Sequence, residues 1–158
     1  MTRTDLVRKL RSAGRLAAPH AGNLLYAYAW LAVVRPALHA LAYRRVLALI
    51  HWGVPAPQRG YDERELASVA KALDMAARNN LGRVTCLPRS LVLCRMLRRA
   101  GYPAEVCLGV HRQGGAIEAH AWVQSAGHVV GDAADVAQKF TPLAPVGADG
   151  LIRTGILL

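Results

Sequence analysis

Residues 85–106 read TCLPRSLVLCRMLRRAGYPAEV, and this stretch decides the fold because it holds a complete helix with both of its boundaries. Thr85 is the predicted N-cap, and Pro88 falls in the first turn, where its missing N–H costs no hydrogen bond. Gly101 ends the helix in the left-handed conformation, and Pro103 prevents its continuation. The predicted apolar face of this helix consists of Leu87, Leu91, Cys94 and Leu97.

After this helix the sequence changes to the two-residue alternation of β-strands. Residues 104–111 and 118–124 are rich in β-forming side chains, and Gln113-Gly114-Gly115 between them is typical of a hairpin connection. A second turn leads into a third strand over residues 128–132, and the tail after this strand is predicted to be irregular. The pattern predicts an α+β fold in which a helix packs on a small antiparallel sheet.

The N-terminal third of the chain is predicted to be helical. Helices are expected over residues 4–18 and 22–52, with a break at residues 19–23 and a kink or stop at Pro36. The unbroken apolar run over residues 24–34 is eleven residues long, whereas a membrane-spanning helix needs about 20. This region therefore resembles an amphipathic helical hairpin more than a membrane anchor.

The positive charge of the chain is concentrated in the same region. The formal net charge is +10, and residues 1–52 contain eight basic residues against one acidic residue, which is seven of the ten net charges. A solvated helical face explains this charge, and contact with a membrane surface stays open as an alternative. No nucleic-acid partner is expected, because basic and aromatic residues are not interleaved and no nucleic-acid-binding motif occurs.

Residues 53–60 are dense in proline and glycine and form the predicted linker. A helix is expected directly after it, because Asp62 can cap the first amides and Glu65 completes a capping box. We therefore divide the chain into a helical N-terminal region with its linker, residues 1–60, and a core, residues 61–158.

Three cysteines, Cys86, Cys94 and Cys107, are an odd number without a CxxC pair. This argues against a disulfide framework and against a structural zinc site, and no cofactor or metal is expected. It favours a reducing, cytoplasmic location. Cys94 in the apolar helix face and Cys107 within a strand are predicted to act as small buried hydrophobes.

Cys86 differs from the other two because it lies in the first turn of its helix. Unpaired N–H groups and the helix dipole favour a thiolate there, which would make the sulfur nucleophilic. His120 shares one strand face with Trp122 and is expected to point at a packed helix, while Trp122 either lines a cleft or packs in the core. Asp132 ends the next strand and could accept the second ring N–H of His120. His111 is expected to face solvent.

Three segments are specific in combination: the CLPRS helix opening at residues 86–90, the RRAGYPA helix exit at residues 98–104 and the HAWV strand at residues 120–123. Asp132 follows twelve residues after the histidine of this strand. Over residues 62–143 the chain resembles the leader peptidases of lasso-peptide biosynthesis, a branch of the transglutaminase-like cysteine protease superfamily.

The resemblance implies a papain- or transglutaminase-like core in which Cys86 is the nucleophile, His120 the general base and acid, and Asp132 the orienting carboxylate. Family members remove the leader from a ribosomally made precursor peptide, which frees the core peptide for closure by an ATP-using cyclase. Residues 1–52 contain no predicted winged-helix recognition domain, so a separate leader-recognition protein would act in trans. The cyclase is a further candidate partner.

Two other functions are compatible with the same fold. An amidase or transglutaminase-type acyltransferase would use the same triad, and a non-catalytic peptide-binding module would keep only the fold. For the oxyanion, the Cys86 backbone N–H is one candidate donor, and Asn79, Asn80 or Arg83 could supply a side-chain donor.

Overall fold

The computed structural model describes the backbone of residues 3–80, 82–113 and 115–143, and their side chains from residue 21 onward except Gln113. Within these residues the helices and strands follow in the order α1 (Arg3–Ala40), α2 (Tyr43–His51), α3 (Glu63–Arg78), α4 (Cys86–Arg99), β1 (Glu105–Gln113), β2 (Ala116–Ser125), β3 (His128–Val130), α5 (Val136–Lys139) and β4 (Thr141–Leu143). Helices surrounding a small antiparallel sheet form an α+β fold, as predicted.

The first helix is longer than predicted. Helix α1 continues through residues 19–23 and Pro36 without interruption, so the predicted break and stop are both wrong. Ala27, Leu31 and Val34 are fully buried at helical spacing and contribute to the main core. Their packing outweighs the hydrogen bond that a proline removes from a helix interior. Within the described part of the chain, no helix combines the length and apolar character that a membrane crossing requires.

The two helices of the predicted core begin where they were predicted to begin. Asp62 caps α3 by accepting hydrogen bonds from the N–H groups of Arg64 and Glu65. The Glu65 carboxylate does not complete the capping box, because it accepts hydrogen bonds from Arg59 and from the Tyr102 hydroxyl. Thr85 occupies the N-cap position of α4 without a side-chain hydrogen bond.

The sheet has four strands in the order β3-β2-β1-β4, all antiparallel. The predicted meander forms its first three strands. The prediction of an irregular tail is wrong for Thr141–Leu143, which pairs with β1 as an edge strand. Pro142 is compatible with this position because an edge strand need not donate a hydrogen bond on its outer side.

Alternate residues of the sheet belong to two separate apolar clusters. Val106, Val123 and Val130 join the main core with α4, whereas Trp122 packs with Val136 and Phe140 on the other face. His120 has the parity of Trp122, so it lies on the face opposite α4. The expectation that His120 points at the packed helix is therefore wrong, since α4 covers the larger apolar face and the chain after β3 covers the smaller one.

Arg95 connects the N-terminal helices to α4. Its guanidinium is buried, lies 3.8 Å above the Trp30 ring and donates to the Tyr26 hydroxyl at 2.7 Å. It also caps the end of α2 by donating to the carbonyl oxygens of Leu49, Ile50 and Trp52. Residues on both sides of the linker therefore contribute to one core. The division into residues 1–60 and 61–158 stays a prediction about independent folding.

Candidate active site

The structure places His120 and Asp132 in direct contact. His120 Nε2 lies 2.8 Å from Asp132 Oδ2, and the two side chains are 26% and 21% exposed, enough for a substrate to reach them. The other carboxylate oxygen of Asp132 accepts the Ala133 N–H at 2.8 Å. Because both oxygens are engaged, the carboxylate is fixed in orientation and can hold one tautomer of the imidazole. His120 Nδ1 then remains as the nitrogen that can exchange a proton with a reacting group.

Phe140 fixes the plane of the His120 ring. The two rings are stacked with centroids 5.1 Å apart, and the buried Trp122 lies beside them with its centroid 6.5 Å from that of His120. Gly109 on the neighbouring strand makes this packing possible, since a Cβ atom there would come within 2.9 Å of both Trp122 and Phe140. Trp122 was predicted either to line a cleft or to pack in the core, and the structure shows it packed in the core beneath His120.

A turn at Gly131 brings Asp132 into position. Gly131 has φ of +70°, and a Cβ atom there would lie 3.0 Å from Ala70 and 3.1 Å from Leu93, so only glycine fits without strain. The Gly131 carbonyl accepts a hydrogen bond from Arg89, whose guanidinium also donates twice to Asp74 at 2.7 and 2.9 Å. Arg89 lies in the first turn of α4, so it links that turn to the residue before Asp132.

Cys86 is the first residue of α4 and is partly exposed. Ser90, one turn later on the same helix face, donates a hydrogen bond to the Ala121 carbonyl at 2.8 Å. Cys94, another turn along, contacts the Ala104 carbonyl. Ala104 precedes Glu105, which pairs with Gln124 near the C-terminal end of β2. From Ser90 to Cys94, helix α4 thus runs in the same direction as β2. Its Cys86 end lies toward the N-terminal half of β2, which carries His120.

No hydrogen bond joins Cys86 to His120 among the described residues, and His120 Nδ1 has no partner there. The structure therefore brings His120 and Asp132 into direct contact, and among the described residues it shows no hydrogen-bonded contact of Cys86 with either of them. Hydrogen bonds between catalytic groups are often long without substrate and tighten in its presence.

The other two cysteines are poor nucleophiles. Burial raises the pKa of the Cys94 thiol to about 12 and that of Cys107 to about 11. A thiol with such a pKa is protonated at neutral pH, and only the thiolate attacks a carbonyl. Both residues line the apolar clusters of the sheet faces, in agreement with their predicted structural role.

Three of the other histidines, His51, His111 and His128, have surroundings that the structure describes. His111 is half-buried, with its ring 5.9 Å from and edge-on to Phe140, so the expectation that it faces solvent is wrong. His128 is exposed and lies against Tyr61 at 4.4 Å between ring centroids. Burial, with Arg98 and Arg95 nearby, lowers the pKa of His51, so its imidazole is neutral at pH 7. Over the described residues, no group of three or more His, Cys, Asp or Glu side chains could hold a metal ion.

The side-chain candidates for oxyanion stabilisation have different surroundings. Asn79 donates to the Met75 carbonyl of its own helix at 2.9 Å, and the Asn80 carbonyl oxygen accepts from Arg35 at 3.1 Å. Arg83 is exposed on the segment that leads into α4. At the start of α4, the Thr85 side chain makes no capping hydrogen bond to the helix amides.

Sequence reasoning missed Phe140, Arg89 and Gly109 as residues that position the site. Phe140 carries a usable signal, because it is the only phenylalanine of the chain and follows Val136 at helical spacing. Arg89 gives no such signal, since its partners Asp74 and Gly131 are distant in sequence.

A helix that opens on a cysteine and packs on a small antiparallel sheet carrying a hydrogen-bonded His–Asp pair defines a class of α+β domains. The family model of the transglutaminase-like superfamily matches residues 25–145, and the chain belongs to this superfamily. The superfamily includes cysteine peptidases and acyltransferases. No curated protein and no solved structure gives a significant match.

Proposed function

We propose that the chain is a cysteine peptidase that removes the leader from a ribosomally made lasso-peptide precursor. The observation that carries the peptidase assignment is the 2.8 Å contact between His120 and Asp132 at the edge of a helix-on-sheet core whose helix opens on Cys86. The narrower assignment to lasso-peptide leaders rests on the sequence resemblance over residues 62–143.

In the proposed reaction, His120 Nδ1 takes the proton of the Cys86 thiol as the sulfur attacks the carbonyl of the last leader residue. Collapse of the tetrahedral intermediate breaks the peptide C–N bond, and His120 returns the proton to the departing amine of the core peptide. Water then attacks the thioester with His120 as base, which releases the leader carboxylate and restores the thiol. Asp132 holds the Nε2–H throughout and stabilises the imidazolium.

The Cys86 backbone N–H is the proposed donor to the oxyanion. Amide groups in the first turn of a helix have no intrahelical acceptor and point along the positive end of the dipole. A donor of this kind contributes to the transition state where negative charge develops on the carbonyl oxygen. No acidic residue lies in the first turn of α4 itself.

The partners of the reaction follow from the same proposal. The precursor peptide is the substrate, a separate leader-recognition protein presents it, and the macrolactam-forming cyclase takes up the released core peptide. A cytoplasmic setting suits a chain that needs a reduced thiol. Contact of residues 1–52 with a membrane surface is an additional possibility that the basic charge supports.

An acyltransferase is the second candidate, because the same thioester can be attacked by an amine instead of water. Mass analysis separates the two reactions. Hydrolysis yields a free leader carboxylate, whereas transfer yields a leader joined to the added amine. A non-catalytic peptide-binding module is the third candidate, and it predicts that precursor binds without being cleaved.

The test is incubation of the purified chain with precursor, with and without the recognition protein, for wild type, Cys86→Ala and Cys94→Ala. We expect cleavage by wild type and Cys94→Ala and no cleavage by Cys86→Ala. Cleavage by Cys86→Ala at the wild-type rate would refute the nucleophile. Intact precursor in every reaction, with all three proteins folded, would refute the leader-peptidase assignment.

A further inference from the structure

A groove of about 620 Å³ opens between the end of α3 and the segment that leads into α4. Val84 and Arg89 both line it, and they lie two residues before and three residues after Cys86. Since two residues of extended chain span at most about 7 Å, the groove adjoins the Cys86 backbone. A peptide whose carbonyl reaches the Cys86 sulfur can therefore place a neighbouring side chain in this groove.

The lining of the groove has an excess of positive charge. Arg78, Arg83 and Arg89 line it together with a single carboxylate, that of Asp74. The Asp74 carboxylate is already engaged, because Arg89 donates two hydrogen bonds to it. Two guanidinium groups remain without a carboxylate partner in the groove. Arg35 adds a further cation at the rim through its hydrogen bond to Asn80.

Arg83 and Arg78 have donors available for a ligand. Arg83 is exposed and makes no hydrogen bond or ion pair with the described residues. Among the described residues, Arg78 donates only through Nε, to the Asp74 carbonyl of its own helix at 3.3 Å, so both of its terminal amino groups are without a partner there. A guanidinium fork matches the geometry of a carboxylate, and such charge-assisted pairs give both affinity and orientation.

We infer that this groove binds an acidic side chain of the peptide substrate, roughly two to four residues from the cleaved bond, because an extended peptide advances about 3.3–3.6 Å per residue. This inference rests on the proposed function for the identity of the substrate. The binding of a carboxylate by Arg78 and Arg83 can be measured without any cleavage. Arg78 and Arg83 are thus specificity-determining residues, whereas Arg89 positions the turn at Gly131.

The first experiment uses precursor peptides with one glutamate at successive positions, from four residues before the scissile bond to four after it. Each peptide has a glutamine counterpart. For wild type we expect kcat/KM for glutamate to exceed that for glutamine by about tenfold at one or two positions, the size of one charge-assisted hydrogen bond pair at a partly exposed site. The preference should weaken at high salt.

The matched variants separate the groove from overall charge. Arg78→Gln/Arg83→Gln should lower the glutamate-to-glutamine ratio of kcat/KM to about one. Arg44→Gln/Arg45→Gln removes the same charge from the exposed face of α2 and should keep the preference. Equal rates for glutamate and glutamine at every position in wild type would overturn the inference, as would a preference that survives in the groove variant.

A binding measurement keeps the inference testable if no peptide is cleaved. Fluorescence anisotropy of a labelled glutamate-containing peptide should show binding that Arg78→Gln/Arg83→Gln weakens about tenfold and Arg44→Gln/Arg45→Gln leaves unchanged. Arginine-dependent binding without cleavage would refute the proposed function and leave the groove assignment standing. Equal weakening by both double variants, or preferential binding of a single-stranded oligonucleotide in the groove, would overturn the groove assignment.

Discussion

The two faces of the sheet differ in how much protein covers them. Among the residues whose side chains the structure describes, the α4 face belongs to a cluster of 21 buried residues drawn from helices α1 to α4 and the strands, whereas the opposite face has a cluster of three, namely Trp122, Val136 and Phe140. His120 lies at the border of the smaller cluster, within reach of solvent. The main core therefore lies on the α4 face, whereas His120 and its partner Asp132 lie on the lightly covered one. Substitutions on the two faces should have different consequences.

The largest effect is expected for Asp132→Ala, on the lightly covered face. The His120 ring then loses the group that holds its tautomer and stabilises the imidazolium, so kcat/KM for precursor cleavage should fall on the order of 10³- to 10⁴-fold. The Tm should change little because Asp132 is at the surface of the site. His128→Ala, on an exposed histidine of β3, is the control and should cleave normally. Activity in Asp132→Ala within tenfold of wild type would contradict the role of the carboxylate.

The next effect is expected on the heavily covered face, at Arg95. Arg95→Met leaves the carbonyl oxygens at the end of α2 without a donor, and each buried unpaired group costs about 1–3 kcal/mol, so the free energy of unfolding should fall by about 3 kcal/mol or more. Urea denaturation measures this loss. Cleavage per folded molecule should stay near wild type. Arg64→Met, on the exposed start of α3, should lose less than about 0.5 kcal/mol.

Gly109→Ala tests the small cluster directly. The added Cβ would lie 2.8–2.9 Å from Trp122 and Phe140, and overpacking of this kind costs about 1–3 kcal/mol. Because displacement of Phe140 releases the ring stacked on His120, activity should fall more than the folded fraction does. Gly60→Ala, in the linker with open space around its Cα, is the matched control. Normal activity per folded molecule in Gly109→Ala would show that Phe140 does not position His120.

The smallest effect is expected at the turn between β2 and β3. Ala126 has φ of +48° and Gly127 has φ of +81°, the signature of a type I′ turn, in which asparagine is preferred at the first position. Ala126→Asn should raise the free energy of unfolding by about 0.5–1 kcal/mol and leave cleavage unchanged. Ala116→Asn, exposed near the other end of β2, should bring no gain. A lower midpoint for Ala126→Asn in urea would contradict this turn assignment.

Much of the fold near α4 could be predicted from sequence because its signals are local. Asp62, Thr85 and Gly101 mark helix ends through the conformations and hydrogen bonds of neighbouring residues. The predictions that failed depend on distant contacts. Pro36 does not stop α1 because Ala27, Leu31 and Val34 bury one face of the helix, and β4 escapes detection because three residues with a central proline form a strand only beside β1.

The candidate site could be predicted as a set of residue types but not as an arrangement. The alternation in β2 correctly groups His120 with Trp122, yet it cannot say which face α4 covers, since that choice depends on the total apolar surface of all the helices. The contact of His120 with Phe140 and the link from Arg89 to Gly131 join residues that are 20 and 42 positions apart. Neither is visible in the pattern of a single segment.

The central claim, that Cys86 is the nucleophile, is tested most directly by following alkylation and activity together. Iodoacetamide is added to the wild-type protein at pH 7.5, and the labelling of each cysteine is measured by mass spectrometry beside the remaining precursor cleavage. We predict that activity disappears at the rate at which Cys86 is labelled, while Cys94 and Cys107, whose pKa values are raised by burial, stay unmodified. Full cleavage by protein that is completely alkylated at Cys86 would contradict the claim.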